Sequence, residues 1–292
     1  MTAEQARWRL LHLLHRAPAQ CGYGQSRWTL AGLLQACEWL QLTSLGGVSQ
    51  LLQRLKISYQ RARSYIHSPD PYYREKLSLI ELAQLRAKYA PDRYVFLYLD
   101  ELTYYRQPSL SWAYAAQGGP QPRAYLSTRT NTHFRIVAAL NALTGQVTYR
   151  QRSRTSVAQL SAFYADLRRA YPGVETIYVA QDNWPVHFHP DVLARLEPQT
   201  WPYPHNVPAN WPVAASPRAG QDNLPIQILC LPTYASWCNP IEKLWRWLKQ
   251  AIIHLHRLSD QWQELKQRVA VFLDQFGHGS AELLHYVGLL PN

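Results

Sequence analysis

The chain has 292 residues, with 30 Lys+Arg against 19 Asp+Glu and a formal net charge of +11. At 47% hydrophobic and 17% charged residues it is a folding globular chain, long enough to bury a full core without disulfides or a structural metal. No apolar run approaches the ~18 residues of a membrane span. The opening MTAEQARWRL lacks the basic-then-apolar order of a secretory signal. Cys21, Cys37, Cys230 and Cys238 form no CxxC pair and read as reduced thiols of a cytoplasmic protein. The basic excess points to a polyanionic partner. It is densest in residues 1–70, where eight Lys+Arg face three Asp+Glu.

Residues 1–70 read as a small helical module. Leu30, Leu33, Leu34 and Cys37 recur at helical spacing, Gly46 and Gly47 break the pattern, and Val48, Leu51, Leu52 and Leu55 form a second face over about 48–56. Two short helices around a glycine turn fit a helix-turn-helix, with Arg54, Lys56, Arg61 and Arg63 as candidate DNA contacts; an ordinary helical hairpin fits equally well. Pro69 and Pro71 mark a boundary, where Asp70 can cap a connecting helix over about 71–89. From residue 93 the texture changes. Strands are expected at 94–99, 134–140, 146–149, 176–180 and 226–231, and helices at 156–170, 185–196 and 239–254. Three strands, helix, strand, helix, strand, helix suits a mixed α/β sheet with helices on its faces. Residues 198–225 carry seven prolines and Trp201 and Trp211, which either stack on a nucleobase or anchor the loop on its own domain.

Three acidic residues fall where chemistry would want them. Asp100 ends the first strand, Asp182 ends the fourth, and Glu242 opens the last long helix. Adjacent parallel strands bring such carboxylates together at their carboxyl ends. Three acidic groups in one cleft repel each other unless cations sit between them, and hard oxygen donors suit Mg²⁺ or Mn²⁺. Two such ions ~3.5–4 Å apart can activate one oxygen and stabilise another in phosphodiester displacement. Each residue also has a bland reading. Asn239 and Glu242 resemble a capping box, Asp182 or Asn183 can cap a helix opened by Pro185, and Asp100 or Glu101 can be turn residues.

The blocks Tyr98-Leu99-Asp100-Glu101, residues 181–187 (QDNWPVH) and residues 231–245 (LPTYASWCNPIEKLW), with Trp112, Gly118 and Pro120 between the first two, resemble the acidic motifs of mariner-superfamily transposases, bacterial insertion-sequence branch. The resemblance covers most of 94–255 and, more weakly, 28–76. It implies a ribonuclease H-like catalytic domain over 93–292, a linker helix over 71–92 and a helix-turn-helix module over 1–70. It implies Asp100, Asp182 and Glu242 as a triad holding two Mg²⁺ or Mn²⁺ ions. Glu101, Asn183, His187, Asn239 and Lys243 would support that triad or touch DNA phosphate. The implied activity is cleavage of element ends and attack of the freed 3′-hydroxyl on target DNA, by a homodimer or larger assembly on double-stranded DNA. The implied setting is the bacterial cytoplasm, nucleoid-associated, with no membrane or small-molecule cofactor. Rival readings are a non-transposing nuclease or resolvase on the same fold and a DNA-binding regulator without chemistry.

Two departures stand out. Asp182 and Glu242 are 60 residues apart, the excess lying in 198–225, and one helix-turn-helix is legible where relatives carry two. Arg150, Arg152 and Arg154, at spacing two, are further candidate phosphate contacts, as are Arg168, Arg169, Arg246 and Lys249. The pairs His187/His189 and His254/His256 do not read as shared metal sites.

Overall fold

A computed structural model describes residues 2–60, 68–220 and 222–290. The chain divides into two compact units, Met1–Tyr65 and Ile66–Asn292.

The first unit holds three helices, each opened by a hydroxyl side chain: α1 (Ala3–Leu14) by Thr2, α2 (Leu30–Ala36) by Thr29 and α3 (Leu45–Arg54) by Ser44. Each hydroxyl accepts a backbone N–H that the helix itself leaves unpaired. The helices bury Ala6, Leu10, Leu33, Cys37, Val48 and Leu55 together. Gly46 and Gly47, expected as the break between two helices, lie instead in the first turn of α3. The break falls over residues 37–44, where Gln41 takes a left-handed φ of 53°. Residues 1–27, where no definite element was expected, contribute α1. Arg54 and Lys56 are exposed at and just after the end of α3; Arg61 and Arg63 lie outside the described residues.

The second unit begins with α4 (Tyr73–Tyr89), followed by β1 (Tyr94–Tyr105), β2 (His133–Asn141), β3 (Val147–Arg152), α5 (Val157–Ala170) and β4 (Thr176–Gln181). After these come the one-turn α6 (Pro190–Leu193), β5 (Ile226–Cys230), α7 (Ile241–Leu248), α8 (Trp262–Asp274) and α9 (Ala281–Val287). The strands form one sheet in the order β3-β2-β1-β4-β5. β1, β2 and β3 run antiparallel, whereas β1, β4 and β5 run parallel. This is the mixed α/β sheet of the sequence reading. The period-two alternation of β1 feeds two cores. Phe96, Tyr98, Leu102 and Tyr104 pack with α4, α7, α8 and α9; Val95, Leu97 and Leu99 pack with α5.

Three element boundaries differ from expectation. β1 does not end at Leu99: it stays paired with β2 as far as Tyr105↔His133, so Asp100 is a mid-strand residue opposite Ala138. The partner that ends early is β4, whose last pair with β1 is Tyr98↔Ala180. The helix expected over 185–196 is a 3₁₀ turn, Pro185–Phe188, followed by α6, because Pro190 cannot continue the first turn and starts a second. The long helix expected to His254 leaves α-geometry at Leu248 and finishes as one π turn, Lys249–Ile253.

The proline-rich segment protects the sheet. Gln199 donates from Nε2 to the Ile226 carbonyl (3.0 Å) and accepts the Ile228 N–H on Oε1 (2.8 Å), so one side chain covers the outer edge of β5. Trp201 packs against the α5-side core with Phe188, ring centroids 5.4 Å apart, and Trp211 packs on His189 at 4.9 Å.

The β2–β3 turn docks the carboxyl-terminal helix. Asn141 Oδ1 accepts the N–H groups of Leu143 and Thr144, and the Thr144 carbonyl accepts from Ser280, the cap of α9. Gly145 sits at φ 71°, and a Cβ there would run into the Ser280 backbone. Gly145→Ala is expected to lose ~2–4 kcal/mol, from left-handed strain plus overpacking. Urea unfolding at neutral pH reads this directly, and an unchanged midpoint would contradict it.

Candidate active site

Strand alternation sends the two acidic residues of the first motif to opposite faces. Asp100 takes the even face of β1 and meets α7, where Trp245 donates its indole N–H to Asp100 Oδ2 (2.8 Å). Burial pushes the Asp100 carboxyl up to about 7, and the nearby charges of Glu242 and Glu101 add to the shift. Glu101 takes the odd face. It too is pushed up to about 7 by burial; His187 opposes the shift and Asp182 adds to it.

Asp182 follows the last residue of β4 and turns back on its own loop. Its Oδ1 accepts the Trp184 N–H (2.9 Å) and lies 3.4 Å from His187 Nε2. Burial alone would raise this carboxyl, but His187 and the Trp184 amide outweigh it and hold it below the usual range. His187 is fully buried; burial works against its charged form, yet Glu101 and Asp182 hold its pKa above the ordinary value.

Glu242 lies in the first turn of α7. Burial and then Asp182 raise its pKa, against Lys249 and Arg246. The capping-box alternative does not hold, because the N-cap is Pro240 and no side chain caps the helix. Asn239 instead donates from Nδ2 to the Leu99 carbonyl (3.1 Å), beside Asp100. Asn183 donates to the Leu231 carbonyl (2.8 Å). These two amides therefore tie the ends of the 231–239 loop to β1 and to the turn after β4. Within that loop Tyr234 is exposed at φ 55°.

Other expected contacts are committed elsewhere. Lys243 donates to the Val287 carbonyl at the end of α9 (2.7 Å) and so caps that helix. Arg150 is ion-paired with Asp166 of α5, which Arg169 also engages. Arg168 donates to the carbonyls of Tyr171 and Val174. Arg152 and Arg154 are exposed at and beyond the end of β3, two strands from β1. His254 bonds Ser109 (2.8 Å) and His256 accepts from Leu258, so this pair shares no site.

Two contributors were not read from the sequence as part of the site. Trp245 shares a helical face with Ile241, Leu244 and Leu248, which marks it only as core. Asp70, expected to cap the connecting helix, accepts the Tyr72 N–H at its entry on Oδ1 (2.9 Å), but its other oxygen reaches much further. Its Oδ2 accepts the Thr233 N–H (2.8 Å) and Lys76 Nζ (2.8 Å), and Ser68 donates to the Thr233 carbonyl (2.6 Å). The α4 entry thus holds the middle of the loop that leads to Glu242. A contact across 163 residues of chain leaves no local spacing to find.

The donor set fits a hard divalent cation. Among the described residues, Glu101, Asp182 and His187 offer ligand atoms within 4.8 Å of one another, and Glu101 Oε1 is buried without a hydrogen-bond partner. This cluster differs from the motif triad. It occupies the α5 face of β1, whereas Asp100 and Glu242 lie on the α7 face, and Asp182 is common to both. In the triad the charge of Glu242 raises the pKa of Asp100 and that of Asp182 raises the pKa of Glu242, a crowding that a divalent cation would relieve.

A five-stranded sheet in this order, with acidic residues at the carboxyl ends of β4 and the parallel part of β1 and at the start of α7, defines a ribonuclease H-like nuclease domain. The pattern of the DDE superfamily endonucleases matches residues 82–266, which span Asp100, Glu101, Asp182 and Glu242. The chain is 25% identical over 261 residues to the insertion element IS630 39 kDa protein of Shigella sonnei, covering 88% of this chain and 67% of that one. It superposes on the Mos1 transposase paired-end complex with left transposon end at TM-score 0.55 and 17% identity, covering 92% of this chain and 77% of that one. The Mos1 mariner paired-end complex with Mn also matches at TM-score 0.55 and 17% identity, covering 90% and 74%. The chain belongs to the DDE superfamily of endonucleases, and it is similar in sequence to the IS630 protein and in fold to the Mos1 transposase.

The Asp70–Lys76 pair sets a stability prediction. Both side chains are almost fully buried. Despite burial, which pushes the other way, Lys76 and the Thr233 and Tyr72 amides hold the Asp70 carboxyl down to about 2. Its folded pKa lies below the unfolded value of ~4, so its contribution of ~2 kcal/mol is present above pH ~4 and is lost as pH falls toward 2. Lys76→Met is expected to lose ~3–5 kcal/mol at pH 7, because it strands a buried carboxylate. Equal denaturant midpoints for the two proteins would overturn this reading.

Proposed function

We propose that the protein is an insertion-sequence transposase that cleaves the ends of its element and joins the freed 3′-hydroxyl to target DNA, with Asp100, Asp182 and Glu242 holding two Mg²⁺ or Mn²⁺ ions. One observation carries this reading. Two carboxylates on the adjacent parallel strands β1 and β4 and a third at the entry of α7 lie close enough for the charge of one to raise the pKa of another.

Asp100, Asp182 and Glu242 would hold the divalent cations, which would supply charge neutralisation and activation of the oxygens in phosphodiester displacement. The chain's own groups do the rest. Trp245 engages one oxygen of Asp100, and the Trp184 amide and His187 engage Oδ1 of Asp182. Among the described residues no donor bonds Asp182 Oδ2. The carboxylates hold charge and position; none is placed as a nucleophile, so the displacement runs without a covalent protein–DNA intermediate.

Residues 1–70 are proposed as the module that reads element ends, with Arg54 and Lys56 on phosphate. Arg152 and Arg154 are proposed to contact the backbone of DNA on the catalytic domain (93–292), to which residues 71–92 are the link. Two element ends handled together call for at least a homodimer. The Mos1 relatives were solved with transposon-end DNA, with Mn and with Mg, which supports DNA and divalent metal here.

Strand joining tests the proposal. The full chain is mixed with a pre-cleaved, labelled duplex of the element's own end, a TA-containing target plasmid, and Mg²⁺ or Mn²⁺. Metal-dependent joined product is expected, falling to background in Asp100→Ala, Asp182→Ala and Glu242→Ala. Nicking without joining would select the nuclease or resolvase, and DNA binding with neither reaction would leave a regulator.

A further inference from the structure

We propose that Glu101 and His187 form a clasp that fixes the orientation of Asp182, so that both are positioning residues for the reaction. This rests on Asp182 being a metal-holding carboxylate, as proposed above. The observations are geometric. His187 is fully buried, and neither ring nitrogen has a hydrogen-bond partner of ordinary geometry. Its Nε2 lies between two acidic oxygens, 3.4 Å from Asp182 Oδ1 and 3.7 Å from Glu101 Oε1. Glu101 Oε1 is buried and also lacks a partner. A buried polar group keeps this position only when its neighbours compensate it, and these three groups are one another's compensation.

The supports of the clasp are rigid. Glu101 sits mid-strand in β1, opposite Val137 of β2. His187 belongs to the 3₁₀ turn Pro185–Phe188, and its ring stands edge-on to Trp184, with centroids 5.6 Å apart and planes at 86°. The backbone N–H of the same Trp184 bonds Asp182 Oδ1. Asp182 is therefore held through one oxygen by two groups of a single turn, and Glu101 holds that turn against the sheet by way of the imidazole. Both carboxylates meet the same ring nitrogen, Nε2, so the one imidazole edge couples the position of Asp182 to that of Glu101. Period-two alternation explains why the acidic pair is adjacent: Asp100 serves the α7 face and Glu101 serves the α5 face, and neither can do the other's task.

The test uses the full-length protein with two readouts. One is Mn²⁺ binding without DNA, followed by the electron paramagnetic resonance of free Mn²⁺. The other is nicking of supercoiled plasmid as a function of Mn²⁺ concentration. Glu101→Gln keeps the shape and removes the charge, His187→Asn removes the ring, and Asp182→Asn tests the underlying assignment. Glu101→Gln and His187→Asn are each expected to raise half-saturating Mn²⁺ about 10–100-fold, with turnover recovering at high Mn²⁺. The double variant is expected to be no worse than His187→Asn, because the two groups act in series. A purely structural role would lower the melting temperature and leave half-saturating Mn²⁺ in place. If Asp182→Asn loses Mn²⁺ while both clasp variants bind it as wild type does, the clasp is wrong and the metal assignment stands. If Asp182→Asn binds and cuts like wild type, the assignment fails and the clasp with it. Should His187→Asn not fold, Glu101→Gln decides alone.

Discussion

Mutual repulsion among Asp100, Glu101, Asp182 and Glu242 is the constraint around which the second unit is arranged. Burial and neighbouring acidic charge both oppose ionisation, and two of the four carboxyls are pushed up to about 7. The fold meets this cost in two ways. Alternation along β1 places Asp100 and Glu101 on opposite faces of the sheet, and each face supplies its own counter-groups. On the α5 face these are His187 and the Trp184 amide; on the α7 face they are the Trp245 indole, with Lys249 and Arg246 moderating Glu242. Compensation is incomplete on both faces, since Asp100 on one and Glu101 on the other are each pushed up to about 7.

Holding repelling groups together requires a framework that does not relax. β1 supplies it by continuing past its parallel partner, so that Asp100 and Glu101 have backbone fixed by β2 at Ala138 and Val137. The 231–239 loop supplies the rest. Asn183 holds its start, Ser68 and Asp70 hold Thr233, and Asn239 ties its end to Leu99. Such over-determination also accommodates a left-handed Tyr234, which costs on the order of 1–2 kcal/mol wherever it occurs in an L-residue. Asp70 belongs to the segment that opens α4, so this helix entry is part of the framework that holds the 231–239 loop.

Much of this was legible in the sequence. The five strands, their mixed sheet and the helices between them follow from β-prone apolar runs and helical periodicity, and the acidic motifs mark where the sheet is chemically special. The errors have physical causes. Asp100-Glu101 reads as a strand end because charge ordinarily ends a buried strand, yet β2 pairing carries β1 six residues past Leu99. Gly46 and Gly47 read as a helix break because glycine is a poor helix former, but Ser44 caps the turn and burial of Val48 holds it. Lys243 and Arg150 read as phosphate contacts because sequence shows charge and not its partner; one caps α9 and the other pairs with Asp166. Asp70 reads as a local cap and does bond the Tyr72 N–H, but its bond to Thr233 is distant in sequence and leaves no local signal.

The proline-rich segment shows the same logic at the opposite edge of the sheet. β5 is an edge strand, and an open edge invites pairing with any extended chain. Proline cannot extend the ladder, so a second strand could not be built from residues 198–225. A single glutamine side chain supplies the donor and the acceptor that a strand would have supplied, and Trp201 fastens it to the α5-side core. Edge protection and active-site rigidity are thereby linked. β5 is hydrogen-bonded to β4 as far as Gln181↔Cys230, one residue short of Asp182. An edge strand free to pair elsewhere would loosen the strand that leads into Asp182, so the insert steadies the backbone that carries this carboxylate.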